Sequence, residues 1–396
     1  MLASIRRSHN HTIYASYLGY ITQAIVNNFA PLLFLTFIDE FTLTMEKITL
    51  ITTINFAVQL AVDAIAAKVV DRIGYRPCIV AAHVFAAAGL AGLALFPAVL
   101  PPFAGILLAV VLYAVGGGII EVLISPIVEA CPTERKAAAM SLLHSFYCWG
   151  HVFLVLVSTG FFAMFGIGSW RVMACLWALV PLFNVFYFML VPISPIVAEG
   201  TRQLSLRELF RTKVFWILLV MMVCAGASEQ AMSQWASAFA ENGLKISKTM
   251  GDLAGPCAFA VLMGTARALY GKFEARIPLK GFMIGSCALC IGCYLLAALC
   301  DAPLMALVGC AVCGFSVGIF WPGTFSIAAP AIPGGGTTMY ALLALAGDLG
   351  CSGGPTVVGM VSGAAGGEMQ TGLLAAIVFP VLMLLSTLMM RTKDAR

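Results

Sequence analysis

Apolar runs long enough to cross a bilayer recur twelve times along the chain, and polar residues crowd into the short intervals between them. A hydrocarbon core of ~30 Å takes about 20 residues of helix to cross. The runs fall near residues 12–38, 47–70, 77–97, 102–127, 136–164, 170–192, 213–239, 249–271, 281–300, 303–328, 338–363 and 370–390. Continuous runs of this length are helices, because lipid offers the backbone no hydrogen-bond partners and a helix satisfies its own. The pattern predicts an all-α membrane protein of twelve transmembrane helices. One interval stands apart: Ser194 to Lys213 is long, polar and charged. It divides the chain into an N-terminal six-helix bundle (1–193), a linker (194–212) and a C-terminal six-helix bundle (213–396).

Composition agrees. Hydrophobic residues make up 61% of the 396 and charged residues 10%, against about 25% charged in soluble domains. The cations fix an orientation. Of 22 Lys and Arg, seventeen fall on one side: Arg6, Arg7, Lys68, Arg72, Arg76, Arg135, Lys136, Arg202, Arg207, Arg211, Lys213, Lys272, Arg276, Lys280, Arg391, Lys393 and Arg396. Four fall on the other (Lys47, Arg171, Lys245, Lys248), and Arg267 is embedded. Lys and Arg in short loops stay inside, so both termini are expected in the cytoplasm, in an inner or plasma membrane. Orientation accounts for the net charge of +4 and leaves no need for a nucleic-acid partner. The thirteen cysteines lie mostly inside apolar runs and read as packing residues. No enzyme motif is present: Gly334-Gly-Gly336 lacks the lysine of a phosphate loop, and no histidine pair has metal-ligand spacing. No cofactor and no metal are expected, and the chain is expected to act as a monomer.

The halves repeat. Lys68, Arg72 and Arg76 recur 204 residues later as Lys272, Arg276 and Lys280, and the same offset sets His144 on Asp348 and Gly150 on Gly354. Two pseudo-symmetric bundles around a midplane site are a common build for secondary transporters.

Asp71-Arg72-Ile-Gly-Tyr-Arg76-Pro77, between crossings two and three, resembles the signature loop of the major facilitator superfamily, and Trp170-Arg171 at the start of crossing six is frequent there. Gly118-Ile-Ile-Glu121-Val-Leu-Ile-Ser-Pro126 and Ser141-Leu-Leu-His144-Ser-Phe-Tyr147-Cys-Trp-Gly150 resemble crossings four and five of the fucose-permease-like sugar/proton symporters. Phe320-Trp321-Pro322-Gly-Thr324 is similar to their crossing-ten turn. The resemblance implies the major facilitator fold and alternating access around a site between the halves.

Ionisable groups embedded in lipid carry the chemistry. Asp63, Glu121, Glu229 and Asp348 together cost on the order of 10 kcal/mol if ionised and unpaired, so each faces protein or water. Glu121 follows Gly116-Gly-Gly118, with Ser125 one turn along. It is either a proton carrier, the role the resemblance implies, or an acid bonded to backbone and hydroxyls. Asp348 is the second proton-coupling candidate. The resemblance sets His144 on a substrate-binding glutamine. Tyr147 and His151 continue its stripe, and each histidine is alternatively bonded to a neighbouring helix. Glu229, Gln230, Ser233, Gln234 and Trp235 form the most polar patch within an apolar run. Amides, a carboxylate and an indole suit a polyhydroxylated ligand, though they serve equally as glue between helices. Trp321 joins them as a binding candidate. Gln23, Asn27 and Asn28 on crossing one, with Asn55 and Gln59 on crossing two, either line a cavity or bond neighbours.

Asp71, Arg72, Arg76, Asp63 and Arg267 are gating candidates. The resemblance sets the loop acid near the start of crossing eleven, where a helix N-terminus favours a carboxylate. One departure counts against fucose itself: where the fucose permease has an acid in crossing one, ten residues before Phe-Thr-Leu-Thr, this chain has Pro31 before Phe41-Thr-Leu-Thr44. The expected function is proton-coupled symport of a sugar or similar small polar metabolite, with protons, solute and lipid bilayer as the partners. Proton-antiport export of amphipathic drugs is the alternative, consistent with 19 methionines and 26 phenylalanines. A transporter-like receptor that moves nothing is a third.

Overall fold

The computed structural model of the protein describes residues 5–132, 136–194, 204–273, 277–300, 302–333 and 335–390; within these, the side chains at 66–69, 71, 72, 129, 136–141, 271–273, 329, 336–338 and 340 are not described. No strand occurs among the described residues, and twelve helices are long and apolar enough to cross a membrane. Numbered in order, the spans are His9–Phe41, Met45–Ile65, Tyr75–Val99, Pro102–Val128, Leu142–Phe165, Ile167–Leu190, Lys213–Gly243, Lys248–Tyr270, Leu279–Leu299, Pro303–Ala328, Ala341–Ala364 and Met369–Met389. They gather into two compact units, Met1–Glu199 and Gly200–Arg396.

Continuous apolar runs predict continuous helices, and five spans depart from that, span 12 by the single turn residue Ile377 between Ala376 and Val378. Span 1 stops at Asn28, turns through Ala30–Leu33 and restarts at Phe34. Pro31 sits in that turn, and proline lacks the amide hydrogen and clashes with the preceding turn. Span 10 breaks between Val317 and Phe320, two residues before Pro322. Span 8 relaxes into a π-turn over Leu253–Cys257, which contains Pro256. Span 7 breaks after Ser233 with no proline nearby. The interruptions of spans 1 and 7 directly follow Asn27-Asn28 and overlap Gln230–Gln234. Broken transmembrane helices are tolerated where polar partners or a cavity satisfy the freed backbone.

Each unit is closed by the same device. In the first, Arg76 Nη1 at the start of span 3 donates to the carbonyls of Phe188 (2.8 Å) and Met189 (3.1 Å) at the end of span 6. In the second, Lys280 Nζ at the start of span 9 donates to the carbonyls of Met390 (2.5 Å) and Leu388 (3.4 Å) at the end of span 12. A cation on the last carbonyls of a helix meets both their unfilled acceptors and the negative end of the dipole. Lys280 lies 204 residues after Arg76, and spans 7 and 9 begin 204 residues after spans 1 and 3. The offset drifts later: the helix Gly336–Ala364 starts 200 and ends 199 residues after Lys136–Phe165. By helix bounds, Asp348 therefore aligns about one turn beyond His144. Gly150 and Gly354 keep matched contacts, the first against Ile21 and Ala24, the second against Ala227.

Glycine sets how closely the helices approach. Gly116, Gly117 and Gly118 point in three directions, about 100° apart on a helix, and each admits a different neighbour. A Cβ would lie 2.5 Å from Ala82 O of span 3 at Gly116, 2.9 Å from Gln23 Oε1 of span 1 at Gly117, and 3.0 Å from Val62 of span 2 at Gly118. Span 4 is thus the axis on which spans 1, 2 and 3 converge, one turn before Glu121. In the second unit Gly226 and Gly350 join spans 7 and 11, where a Cβ would fall 2.1 Å from Gly347 O and 2.0 Å from Val223 O.

Candidate functional site

Convergence on span 4 brings an amide cluster to a pair of acids. Gln23 Nε2 donates to Gln59 Oε1 (2.8 Å) and to Glu121 Oε2 (3.0 Å). Gln59 Nε2 donates onward to Asn27 Oδ1 (2.8 Å) and Asn55 Oδ1 (3.0 Å), and Asn55 Nδ2 to Asn27 Oδ1 (3.2 Å). All four amide residues are buried, while Glu121 is half-buried. Asp63 of span 2 and Glu121 each offer a carboxylate oxygen within 4.8 Å of the other. The two stripes expected on crossings one and two thus face each other and Glu121. Nothing in either segment alone shows that Asp63 lies beside Glu121, because the two are 58 residues apart.

Beside this cluster Asn28 Nδ2 donates to Tyr147 OH (3.3 Å) of span 5 and to Ala24 O (2.9 Å). Tyr20 OH hydrogen-bonds Ser125 Oγ (3.2 Å), one turn beyond Glu121. His144 is exposed and meets the Tyr20 ring edge-on at 5.3 Å between centroids. His151 is buried at 2% exposure. The structure therefore joins Gln23, Asn27, Asn55, Gln59 and Glu121 in one hydrogen-bonded network, and Asn28 and Tyr147 form a separate bonded pair.

The second unit holds a separate polar knot. Glu229 is buried and pairs with Arg267 Nη2 of span 8 at 3.6 Å, while Gln230 Nε2 donates to Glu229 Oε1 at 3.3 Å. Gln234 Nε2 donates to Gln230 Oε1 (3.0 Å). Arg267 Nε donates to Gly318 O (3.1 Å), a carbonyl at the break of span 10. The embedded cation thus ties spans 7, 8 and 10, a pairing the sequence gives no means to assign. Trp235 is buried at 1% exposure with its N–H on Pro355 O (2.9 Å), so here it packs span 7 on span 11. The half-buried Trp321 ring lies over Gly347, where a Cβ would fall 2.3 Å from ring carbon Cη2, and Asp348 beside it is buried.

Of the gating candidates, Arg76 is engaged on span 6 as described. The side chains of Asp71 and Arg72 fall outside the described residues, as do those of Thr337 and Thr338.

Two buried polar centres escape the count of embedded groups made from sequence. Asp252 is fully buried, hydrogen-bonded by Ser237 Oγ and paired with Lys248 Nζ at 3.2 Å. Lys248, which reads as a loop residue, opens span 8 and bonds one turn ahead; the i,i+4 spacing was the available signal. His83 of span 3 is fully buried between Ile79 O (2.8 Å from Nδ1) and Asn184 Nδ2 (2.8 Å from Nε2), while Asn184 Nδ2 also donates to Ala15 O (3.0 Å). With a carbonyl on one side and an amide donor on the other, the ring is neutral and carries its hydrogen on Nδ1. It knits spans 1, 3 and 6. Span 1 is also held at its far end, where Trp170 Nε1 and Arg171 Nη2 both donate to Glu40 (2.8 and 2.5 Å).

Twelve crossings, two units closed alike and embedded acids bonded by amides define a polytopic membrane protein. The chain belongs to the Major Facilitator Superfamily, whose model matches residues 16–355. No curated protein matches its sequence. Among solved structures it is similar to the xylose transporter XylE from E. coli, with 13% identity over 98% of this chain and 99% of that one and a TM-score of 0.76. It is similar to a bacterial homologue of the human lysosomal transporter Spinster, with 16% identity, 96% and 97% covered and a TM-score of 0.75. It is also similar to the E. coli fucose:proton symporter FucP, with 14% identity, 98% and 100% covered and a TM-score of 0.65. At such identities the likeness is one of fold. The protein is a multi-pass membrane transporter rather than an enzyme.

Proposed function

We propose that the protein is a proton-coupled symporter of a sugar or similar small polar metabolite, working by alternating access. The observation that carries this reading is the Asp63–Glu121 carboxylate pair at the end of a buried amide chain. Two ionised carboxylates with oxygens within 4.8 Å repel by at least about 3 kcal/mol at an effective dielectric of 20, and one proton between them removes that cost. Asp63, first read as a gate, thereby becomes a partner of the proton carrier, standing in for the acid that Pro31 replaces on span 1. Asp348 is the further coupling candidate. Amides that donate and accept suit hydroxyl-rich solutes, which favours Gln23, Asn27, Asn28, Gln59, His144, Tyr147 and His151 in one unit, with Glu229, Gln230, Gln234, Trp235 and Trp321 in the other. Two structures of similar fold, a xylose transporter and a fucose:proton symporter, point to the same solute class. Asp71, Arg72, Arg76 and Arg267 are assigned to gating, 1–193 and 213–396 to two domains joined by 194–212, and both termini to the cytoplasmic face of an inner membrane.

One proton moving through 100 mV supplies about 2.3 kcal/mol, a roughly fifty-fold solute gradient. The test is uptake into proteoliposomes with labelled sugars and amphipathic drugs, with and without an imposed pH gradient. Gradient-driven accumulation of a sugar, lost in Glu121→Gln, is the expected result. Drug movement against the proton flow would replace symport with export. Solute-independent behaviour with full tolerance of Glu121→Gln would point to a receptor.

A further inference from the structure

An unfilled acceptor lies beside the acid assigned to carry the proton. Gln23 uses Nε2 on Gln59 Oε1 and on Glu121 Oε2. Its Oε1 is buried and meets no donor among the described residues, and the residue is 2% exposed. Leaving a buried acceptor unmet is costly, so its persistence calls for a cause. Its neighbours fix the amide's orientation, since the reverse would set its oxygen against the acceptor oxygens of Gln59 and Glu121. Gly117 stands next to this oxygen, and a Cβ there would lie only 2.9 Å from it. The residue at 117 thus keeps the space around Oε1 open.

A primary amide and a carboxylic acid form a two-bond pair. The amide N–H donates to one acid oxygen, and the acid O–H donates to the amide oxygen. An ionised acid makes only the first bond, which is the one present. We propose that Gln23 is a positioning residue that senses the proton on Glu121. When Glu121 takes a proton from water, an O–H bond forms on its second oxygen and donates to Gln23 Oε1. When the proton returns to water, that O–H breaks and Oε1 is left unmet again. Gln59 holds Gln23 and reaches Asn27 and Asn55, so the change at the acid passes into the amide cluster. The inference rests on reading Glu121 as the proton carrier. Among the described residues of this unit, the ionisable side chains around Glu121 are Asp63 of span 2 and Tyr20 of span 1, the latter through Ser125; His144 of span 5 stands behind Tyr20.

The test needs no solute. Full-length protein in lipid is taken between high and low pH while infrared difference spectra are recorded. A protonated-carboxyl band present in the wild type and absent in Glu121→Gln reports the acid. In Gln23→Met, which keeps the bulk and removes the amide, that band is expected to move to higher frequency as its hydrogen bond is lost. Gly117→Ala is the second variant. Its methyl presses on the flexible end of Gln23, so it displaces the amide without deleting it and is expected to shift the band in the same direction. A Glu121 band that stays put in both variants, or in Gly117→Ala alone where Gln23→Met does not fold, overturns the proposal, as does the absence of any Glu121 band. A band that shifts as expected in a protein that accumulates no sugar would leave the acid–amide pair standing and remove only the symport reading.

Discussion

Arg267→Met gives the sharpest energetic test of the second unit. The substitution keeps an unbranched chain of similar length and removes the guanidinium beside Glu229. The two side chains are 20% and 7% exposed, and their closest atoms are 3.6 Å apart. Removing one partner of a buried pair costs about 3–5 kcal/mol, because the other charge is left without compensation. Two features place this case near the lower end, about 3 kcal/mol. The separation exceeds that of a direct charge-assisted hydrogen bond, and Gln230 Nε2 still donates to Glu229. Glu229→Gln should cost a comparable amount by stranding Arg267, eased by its bond to Gly318 O. The double variant removes both charges, and well-packed neutral replacements of a buried pair are often close to neutral. The assay is thermal unfolding of the detergent-solubilised protein, followed by monodisperse recovery on size exclusion, for the wild type, both singles and the double. Each single is expected to lower the midpoint, and the double to lie no lower than either single, which sets the coupling energy at about 3 kcal/mol or more, the upper end of the range for contacting residues. Additive losses, leaving the double as unstable as both singles combined, would refute a working ion pair and reduce Glu229 and Arg267 to independent polar residues.

Three further outcomes follow from the packing. Gly350→Ala places a methyl 2.0 Å from Val223 O and should cost at least the 1–3 kcal/mol typical of overpacking, whereas Gly353→Ala, which meets nothing within 4 Å, should leave the midpoint unchanged. His83→Leu removes one of the two acceptors of the buried Asn184 amide and should cost about 1–3 kcal/mol; a midpoint unaltered by His83→Leu would show that the histidine does not knit spans 1, 3 and 6. Among the cysteines, exposed Cys175 should react with a membrane-permeant maleimide in the native protein, while Cys290 and Cys313, buried with sulfurs 3.9 Å apart, should react only after denaturation, as read by peptide mass spectrometry.

The fold was legible in the chain because a bilayer leaves so few solutions. Twelve apolar runs, each too long for anything but a spanning helix, and one long charged interval imply the architecture before any contact is known. The offset of 204 was legible as well, since Arg76 and Lys280 do the same work on spans 6 and 12. The presence of embedded acids could also be read directly, because a charge inside an apolar run is conspicuous whatever surrounds it. Partners could not be read in this way. Glu121 meets Gln23, 98 residues earlier, and Glu229 meets Arg267, 38 residues later; such pairs depend on the rotation of each helix about its axis, which periodicity fixes only loosely when a span is apolar on every side. Asp252 and His83 were missed for a related reason: burial was inferred from neighbours in sequence, whereas Asp252 is covered by Ser237 and His83 by Asn184, on other spans. Composition and spacing, then, determined that this chain crosses a membrane twelve times and carries charge inside it. Only the packing of glycine faces, which sets how near two helices come and which side chains turn toward each other, decided that those charges meet amides, an arginine and one another.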